Sequence, residues 1–369
     1  MDMKNEKTAD ELFYNMARTC IRDLEEYNPG PMPLDCIRVS ANENNRGVSP
    51  KAYEAMLDAL SDGNRYPDST CSGLRSKIAS KYGLMPQQIL VGNGLDGIFT
   101  MLGRAFLNAG DEVVCAELTF EVYAETAKIM GAVPVSVKMT DTFESDIQGF
   151  ADAVTEKTKI VFFCNPNNPT GTLTGHSDII RLLDMIPDNV LFVLDEAYID
   201  FAGPGTKSGL ELLGKYPNLI VCRTFSKIFG LAGLRVGWIA SGPEIIKYIY
   251  KVREPYNVSA VAAAGAEAAL GDNDFVAESL ETVLDEREAV CRFLSENGIK
   301  FIPSHSNFLL IPLGAISAAV HASLAKDGVI VRLLSFRNTK MLRVSIGLPD
   351  ENRAFEKSLL NALAAAKKQ

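Results

Sequence analysis

The sequence predicts an α/β protein: a large domain whose mostly parallel sheet is sandwiched by helices, followed by a smaller α/β domain at the C-terminal end. Three observations carry this. From about residue 50, short β-branched runs alternate with helical patterns, the signature of parallel strands joined by helical crossovers. The 369 residues exceed what one hydrophobic core usually serves. The composition changes after Pro255, where a stretch of small residues replaces the strand-and-helix alternation.

Leu12, Phe13, Met16, Cys20, Ile21 and Leu24 recur at helical spacing, and the pattern stops at Asn28-Pro29-Gly30-Pro31, which cannot continue a helix. An N-terminal helix with an extended arm follows. Strands are predicted over 89–91, 112–116, 133–137, 159–164, 190–195, 219–222 and 236–240. Beyond them come the small-residue segment 259–270, a long amphipathic helix carrying Phe275, Leu280, Leu284, Phe293 and Leu294, and strands at 307–311, 329–331 and 341–346. The predicted division is therefore 1–45 as a helix and arm packing with the small domain, 46–255 as the large domain and 256–369 as the small one.

Lys and Arg number 37 against 46 Asp and Glu, a formal charge of −9, which argues against a nucleic-acid or anionic-membrane partner and for a small molecule. Seven scattered cysteines without a C-x-x-C pair read as reduced thiols in a cytoplasmic protein. The three histidines lack metal-ligand spacing, so no metal is predicted. No apolar run reaches the ~18 residues of a membrane span, and the charged N-terminus is unlike a signal peptide.

Gly92-Asn93-Gly94-Leu95-Asp96-Gly97 fits G-x-G-x-x-G between a predicted strand and helix, with Glu117 closing the next strand. A nicotinamide dinucleotide, another phosphate and a structural turn all satisfy that spelling. Three later motifs stand at strand ends, where open α/β sheets bind ligands. Asn165-Pro166-Asn167-Asn168-Pro169-Thr170-Gly171 follows strand 159–164, Asp195-Glu196-Ala197-Tyr198 ends strand 190–195, and Thr224-Phe225-Ser226-Lys227 follows strand 219–222, ahead of the Gly-rich segment ending in Arg235. A lysine between a hydroxyl residue and an apolar turn is a candidate Schiff-base nucleophile, because desolvation lowers an amine's pKa. An amide, a carboxylate with a phenol, and a lysine near an arginine do not suit a nicotinamide.

This series resembles the fold-type I pyridoxal-phosphate aminotransferases, the aspartate aminotransferase-like fold, from Tyr27 to about Glu356. Tyr27-Asn28-Pro29-Gly30, Asn42-Glu43-Asn44, Arg65-Tyr66-Pro67-Asp68 and 328–332 are most similar to the branch acting on histidinol phosphate. The resemblance implies pyridoxal 5′-phosphate joined to Lys227, Asp195 beneath the ring nitrogen, Asn168 and Tyr198 on the 3-oxygen, and Phe120 on the ring face. Leu95 and Asp96 N–H groups, Ser226 and Arg235 would hold the phosphate, with Tyr66 reaching it from a neighbouring subunit of a homodimer. It also implies that Lys227 moves the Cα proton, that Arg343 takes the substrate carboxylate and that Arg332 helps with a substrate phosphate. The implied partners are an amino donor and a 2-oxo acid, histidinol phosphate and 2-oxoglutarate first. Aromatic or broad-range transamination, decarboxylation or racemisation on the same scaffold, and a nicotinamide dehydrogenase are the alternatives. Asn45 and Arg46 depart from the family's proline and aromatic after Asn44, which predicts an added cation beside the substrate.

Overall fold

The computed structural model describes residues 8–22, 24, 26 and 35–366. Strands are β1 (Ile37–Arg38), β2 (Ile89–Gly92), β3 (Glu112–Ala116), β4 (Val133–Val137), β5 (Thr158–Cys164), β6 (Leu191–Asp195), β7 (Leu219–Thr224), β8 (Gly237–Ser241), β9 (Phe308–Ile311), β10 (Val329–Ile330), β11 (Arg332–Phe336) and β12 (Thr339–Ser345). Helices are α1 (Ala9–Met16), α2 (Pro50–Leu60), α3 (Ser72–Tyr82), α4 (Gly94–Phe106), α5 (Val122–Met130), α6 (Ile147–Asp152), α7 (His176–Met185), α8 (Pro243–Val252), α9 (Ala260–Ala269), α10 (Asn273–Glu296), α11 (Ser317–Lys326) and α12 (Pro349–Ala366).

Seven strands form one sheet in the order β2-β8-β7-β6-β5-β3-β4. Pairs from β4 to β7 are parallel, while β8 runs antiparallel to both β7 and β2. The reversal has a simple cause: the β7–β8 connection contains no α-helix, and a parallel return needs a longer crossover, usually helical. Consecutive side chains on a strand face opposite ways. Phe162 accordingly packs with Phe99 and Tyr123 on one face, and Phe163 with Phe150 and Phe192 on the other. Both faces are covered, as the predicted continuous apolar strands require.

Local signals start the helices. Ser49 caps α2 by accepting from the Ala52 N–H, with Pro50 in the first turn, and Ser259 does the same for α9. The long amphipathic helix is α10, whose Phe275, Val283, Val290 and Leu294 are buried.

Three predictions need revision. The N-terminal pattern gives only α1 and a 3₁₀ turn at Thr19–Ile21, because Arg18 adopts an extended conformation. Phe13 and Met16 remain 63% and 72% exposed, so the helical spacing does not mark a face buried in this chain. The Tyr27-Asn28-Pro29-Gly30 and Asn28–Pro31 motifs lie outside the described residues. The predicted strand 329–331 is β10, which pairs with β1; beyond it lies a further, unpredicted strand, β11, which forms a hairpin with β12. The hairpin turns at Arg337 and Asn338, both at positive φ (44° and 63°), as a two-residue primed turn requires. No Asn-Gly or Gly-X spelling announced it.

β12 also pairs with β9, giving a three-stranded antiparallel sheet, and the Ser345 N–H donates to the Val39 carbonyl. These contacts bring the arm around residues 37–46 against the C-terminal part of the chain, above the ends of β5, β6 and β7.

Candidate active site

The parallel strands β5, β6 and β7 deliver three loops to one edge of the sheet. Cys164 pairs with Asp195, and Asp195 with Cys222, so the strand ends are level. The turn after β5 is held shut by Asn165, whose side chain bonds both the N–H and the carbonyl of Thr174. Gly171 has φ 75°, and a Cβ there would lie 2.1 Å from Ser304 Oγ, so only glycine lets the turn close on the neighbouring chain.

Asp195 is buried; its Oδ2 accepts from Tyr123 Oη at 2.5 Å and its Oδ1 from the Ala197 N–H at 2.9 Å. Burial pushes its carboxyl up to about 6, against the lowering effect of those two bonds. No cation pairs with it among the described residues. Glu196 faces the other side of the sheet in a buried ion cluster, 3.1 Å from Arg223 Nε, with Asp200 3.0 Å from Arg223 Nη1.

Lys227 is half-buried, and its Nζ donates to the Ala41 carbonyl at 3.2 Å. Burial, then the nearby guanidinium groups of Arg343 and Arg235, lower its amine to about 8. Its Nζ lies 5.4 Å from the Tyr198 ring centroid. Tyr198 is held edge-on against Phe308, and burial raises its phenol pKa. Arg343 Nη1 donates to Asn168 Oδ1 at 2.6 Å and Nη2 to the Ser40 carbonyl at 2.7 Å. Among the described residues no acceptor bonds the Asn168 amide nitrogen, which leaves it for another group.

A second cluster lies where α4 begins. Arg235, at φ 54°, reaches Ser226 Oγ at 3.3 Å and Asp96 at 3.0 Å. A Cβ on Gly94 would come 2.6 Å from Arg235 Nη2, so the glycine makes room for the guanidinium beside the first N–H groups of α4. Backbone N–H groups at a helix start, with a cation and a hydroxyl, make an anion cradle. Leu95 and Asp96 lie in its first turn.

Phe120 is half-buried before α5 and meets Tyr123 edge to face at 5.6 Å. Arg332 sits directly across the β11–β12 ladder from Arg343, 3.9 Å from Glu121. Tyr66 is 82% exposed and stacks on Tyr256 rather than joining the cleft. Arg46 turns away from the cleft: it pairs with Glu278 and bonds Thr282 at 3.3 Å, both on α10, so the expected cation beside the substrate is absent from its place. Glu117 is bonded to Arg337 and to the Met139 N–H, which removes it as the ribose acid a dinucleotide site would need.

Two site residues were not legible as such. Tyr123 was not singled out in the sequence, although its spacing three after Phe120 places both on one side of a helix start. Asn42 donates from Nδ2 to Tyr198 Oη at 3.1 Å, a contact across 156 residues that no local pattern encodes.

The sequence pattern of the aminotransferase class I and II family matches residues 35–355. The chain belongs to the class I and II aminotransferases. It is 35% identical over 370 residues to histidinol-phosphate aminotransferase 2 of Hydrogenovibrio crunogenus, covering 97% of this chain and 99% of the relative. It is 40% identical over 356 residues to the histidinol-phosphate aminotransferase of Methylobacillus flagellatus, covering 93% and 96%. The histidinol-phosphate aminotransferase of Sinorhizobium meliloti, solved in complex with pyridoxal-5′-phosphate, superposes with a TM-score of 0.85 at 28% identity over 89% of this chain and 91% of that one. This aminotransferase is thus a pyridoxal-phosphate-dependent transaminase of fold type I. The cleft suits that group: a fully buried carboxylate without a cation, a desolvated amine and a glycine-lined anion cradle converge at one sheet edge.

Proposed function

We propose that this aminotransferase transfers the amino group of L-histidinol phosphate to 2-oxoglutarate, giving imidazole acetol phosphate and L-glutamate in histidine biosynthesis. The carrying observation is the in-register pair Arg332 and Arg343 on adjacent strands, whose guanidinium groups on one face give two cationic forks for anionic substrate groups. A phosphate on the donor and a second carboxylate on the acceptor are both such groups, and guanidinium groups bind either in bidentate fashion. The names of the full-length relatives support the same substrate.

When bound, pyridoxal phosphate supplies an aldehyde that exchanges amino groups and a ring that accepts electron density from the substrate Cα. Lys227 would hold it covalently and, once displaced by substrate, carry the Cα proton as general base. An amine lowered to about 8 spends a useful fraction of its time unprotonated near neutral pH. Asp195 would keep a proton on the ring nitrogen. Asn168 and Tyr198 would hold the 3-oxygen, Phe120 would cover the ring face, and Leu95, Asp96, Ser226 and Arg235 would hold the phosphate. Arg343 would exchange Asn168 and Ser40 for the substrate carboxylate, with Arg332 at the far anion.

The same reading makes the protein a homodimer. Tyr53, Leu57 and Leu60 share the outer face of α2 and are exposed, as is Tyr66, whose place would then be the partner's phosphate cradle. A division into a cofactor domain up to about residue 255 and a smaller domain beyond it, and a cytoplasmic location suited to seven free cysteines, belong to the proposal.

Mixing the cofactor-loaded enzyme with histidinol phosphate, phenylalanine or phosphothreonine, without acceptor, tests it. Histidinol phosphate should convert the aldehyde form to the amine form fastest, seen as loss of the visible band. Conversion by phenylalanine but not by histidinol phosphate would overturn the substrate assignment.

A further inference from the structure

Asn42 is fully buried where the arm, the loop after β6 and strand β12 meet, and it holds φ at 56°. Each of its polar atoms has a hydrogen-bond partner. Its N–H donates to Ser345 Oγ at 2.8 Å, its carbonyl accepts from Asn307 Nδ2 at 3.1 Å, its Oδ1 accepts from Ser345 Oγ at 3.0 Å, and its Nδ2 donates to Tyr198 Oη at 3.1 Å.

An amide's two ends are told apart by their partners. Turned over, Asn42 would present Nδ2 to Ser345 Oγ, which already accepts the Asn42 N–H. The buried Ser345 hydroxyl hydrogen would then lose its acceptor, which a buried donor does not tolerate without cost. Nδ2 therefore faces Tyr198. The phenol oxygen accepts from Asn42, so its own hydrogen points elsewhere, and among the described residues Tyr198 donates no hydrogen bond to protein. The open side is the cleft that holds Lys227 Nζ.

We propose that Asn42 is a positioning residue that aims the Tyr198 hydroxyl hydrogen at the cofactor's 3-oxygen. The inference rests on the placement of Tyr198 in the proposed function. Ser345 lies two residues from Arg343 on β12, so both side chains project from one face of that strand. The arm and the strand of the proposed carboxylate-binding arginine thus meet at the group that orients Tyr198. A hydrogen bond donated to the 3-oxygen draws charge from it. That weakens its hold on the proton shared with the nitrogen contributed by Lys227, and the proton leaves at lower pH.

The test is the pH midpoint of the visible band of the loaded enzyme, measured without substrate. Asn42→Asp offers Tyr198 an acceptor and should raise the midpoint by about one pH unit, a tenfold gain in proton affinity. Asn42→Gly tolerates the positive φ, adds no charge and should raise it by less. Tyr198→Phe should raise it at least as far as Asn42→Asp, and in the Tyr198→Phe background neither Asn42 variant should shift it further. Unchanged midpoints in both Asn42 variants would overturn the inference. So would an Asp shift that persists without the Tyr198 hydroxyl, since the charge would then act through space. If Asn42→Asp fails to fold, the glycine variant and its double mutant decide alone. A wild-type enzyme that shows no visible band after loading refutes the cofactor placement, and this inference with it.

Discussion

Asn168, Asp195 and Lys227 stand at or just past the carboxyl ends of three adjacent parallel strands, whereas Arg343, Arg332 and Asn42 come from an antiparallel hairpin and an arm that cross to the same cleft. On the first side, strand register levels the groups, and longer-range bonds such as that from Lys227 Nζ to the Ala41 carbonyl only fasten them. On the second, every group depends on contacts across long stretches of chain: Arg343 with Asn168 over 175 residues, and Arg343 with Ser40 over 303. Under the proposed function, the parallel-strand edge carries the cofactor chemistry, and the crossing wall carries Arg343 and Arg332 for recognition and Asn42 to position Tyr198. Changes on the edge should therefore abolish turnover without moving substrate affinity, and changes to the two arginines of the wall should do the reverse.

The largest effect falls on Lys227. Lys227→Ala should remove general-base transfer, a loss of at least about 10⁴ in turnover, while circular dichroism and Tm show an intact fold. Retained multiple turnover would break the comparison at its strongest point. Asp195→Asn removes the charge proposed to sit beneath the ring nitrogen and should lower kcat by about 10²–10³ with little change in KM, read from steady-state kinetics. Arg343→Lys keeps the charge but loses the fork, and kcat/KM should fall about 10²-fold for both substrates, chiefly through KM. Arg332→Ala should raise KM about tenfold for a phosphorylated donor and leave an unphosphorylated one nearly unaffected. Equal effects on both donors would move the phosphate contact elsewhere. Arg46→Ala, despite its place on the arm, breaks only a partly exposed ion pair and should change stability by less than about 1 kcal/mol.

The edge was legible in the sequence because it is local. Each motif ends a recognisable strand, and Asn168, Asp195, Tyr198, Ser226, Lys227 and Arg235 meet in one region of the fold as their order suggested. The wall was legible only in part. Arg343 was placed by its strand, but β11 was missed because its turn at Arg337 and Asn338 lacks glycine, and the in-register opposition of Arg332 went with it. Arg46 was misdirected for a related reason: the arm's path, and not its spelling, sends that side chain to α10. Asn42 and Tyr123 act through hydroxyl and carboxylate partners far along the chain, and no periodicity marks such a contact.

The edge also makes a pH prediction. Burial lowers the Lys227 amine from 10.5 to about 8, so it is an ammonium below that pH and a free nucleophile above it. The rate at which added pyridoxal phosphate loads the apoenzyme should therefore climb with pH through a midpoint near 8. A midpoint near 10.5 would mean that the amine is solvated.

The central claim is that this amine, and no other, receives the cofactor. Reduction of the loaded enzyme with borohydride, followed by peptide mass mapping, reads it directly. The account predicts that the visible band bleaches and that the phosphopyridoxyl mass appears on the peptide containing Lys227; a label on another lysine, or a bleached protein with Lys227 unmodified, would contradict it.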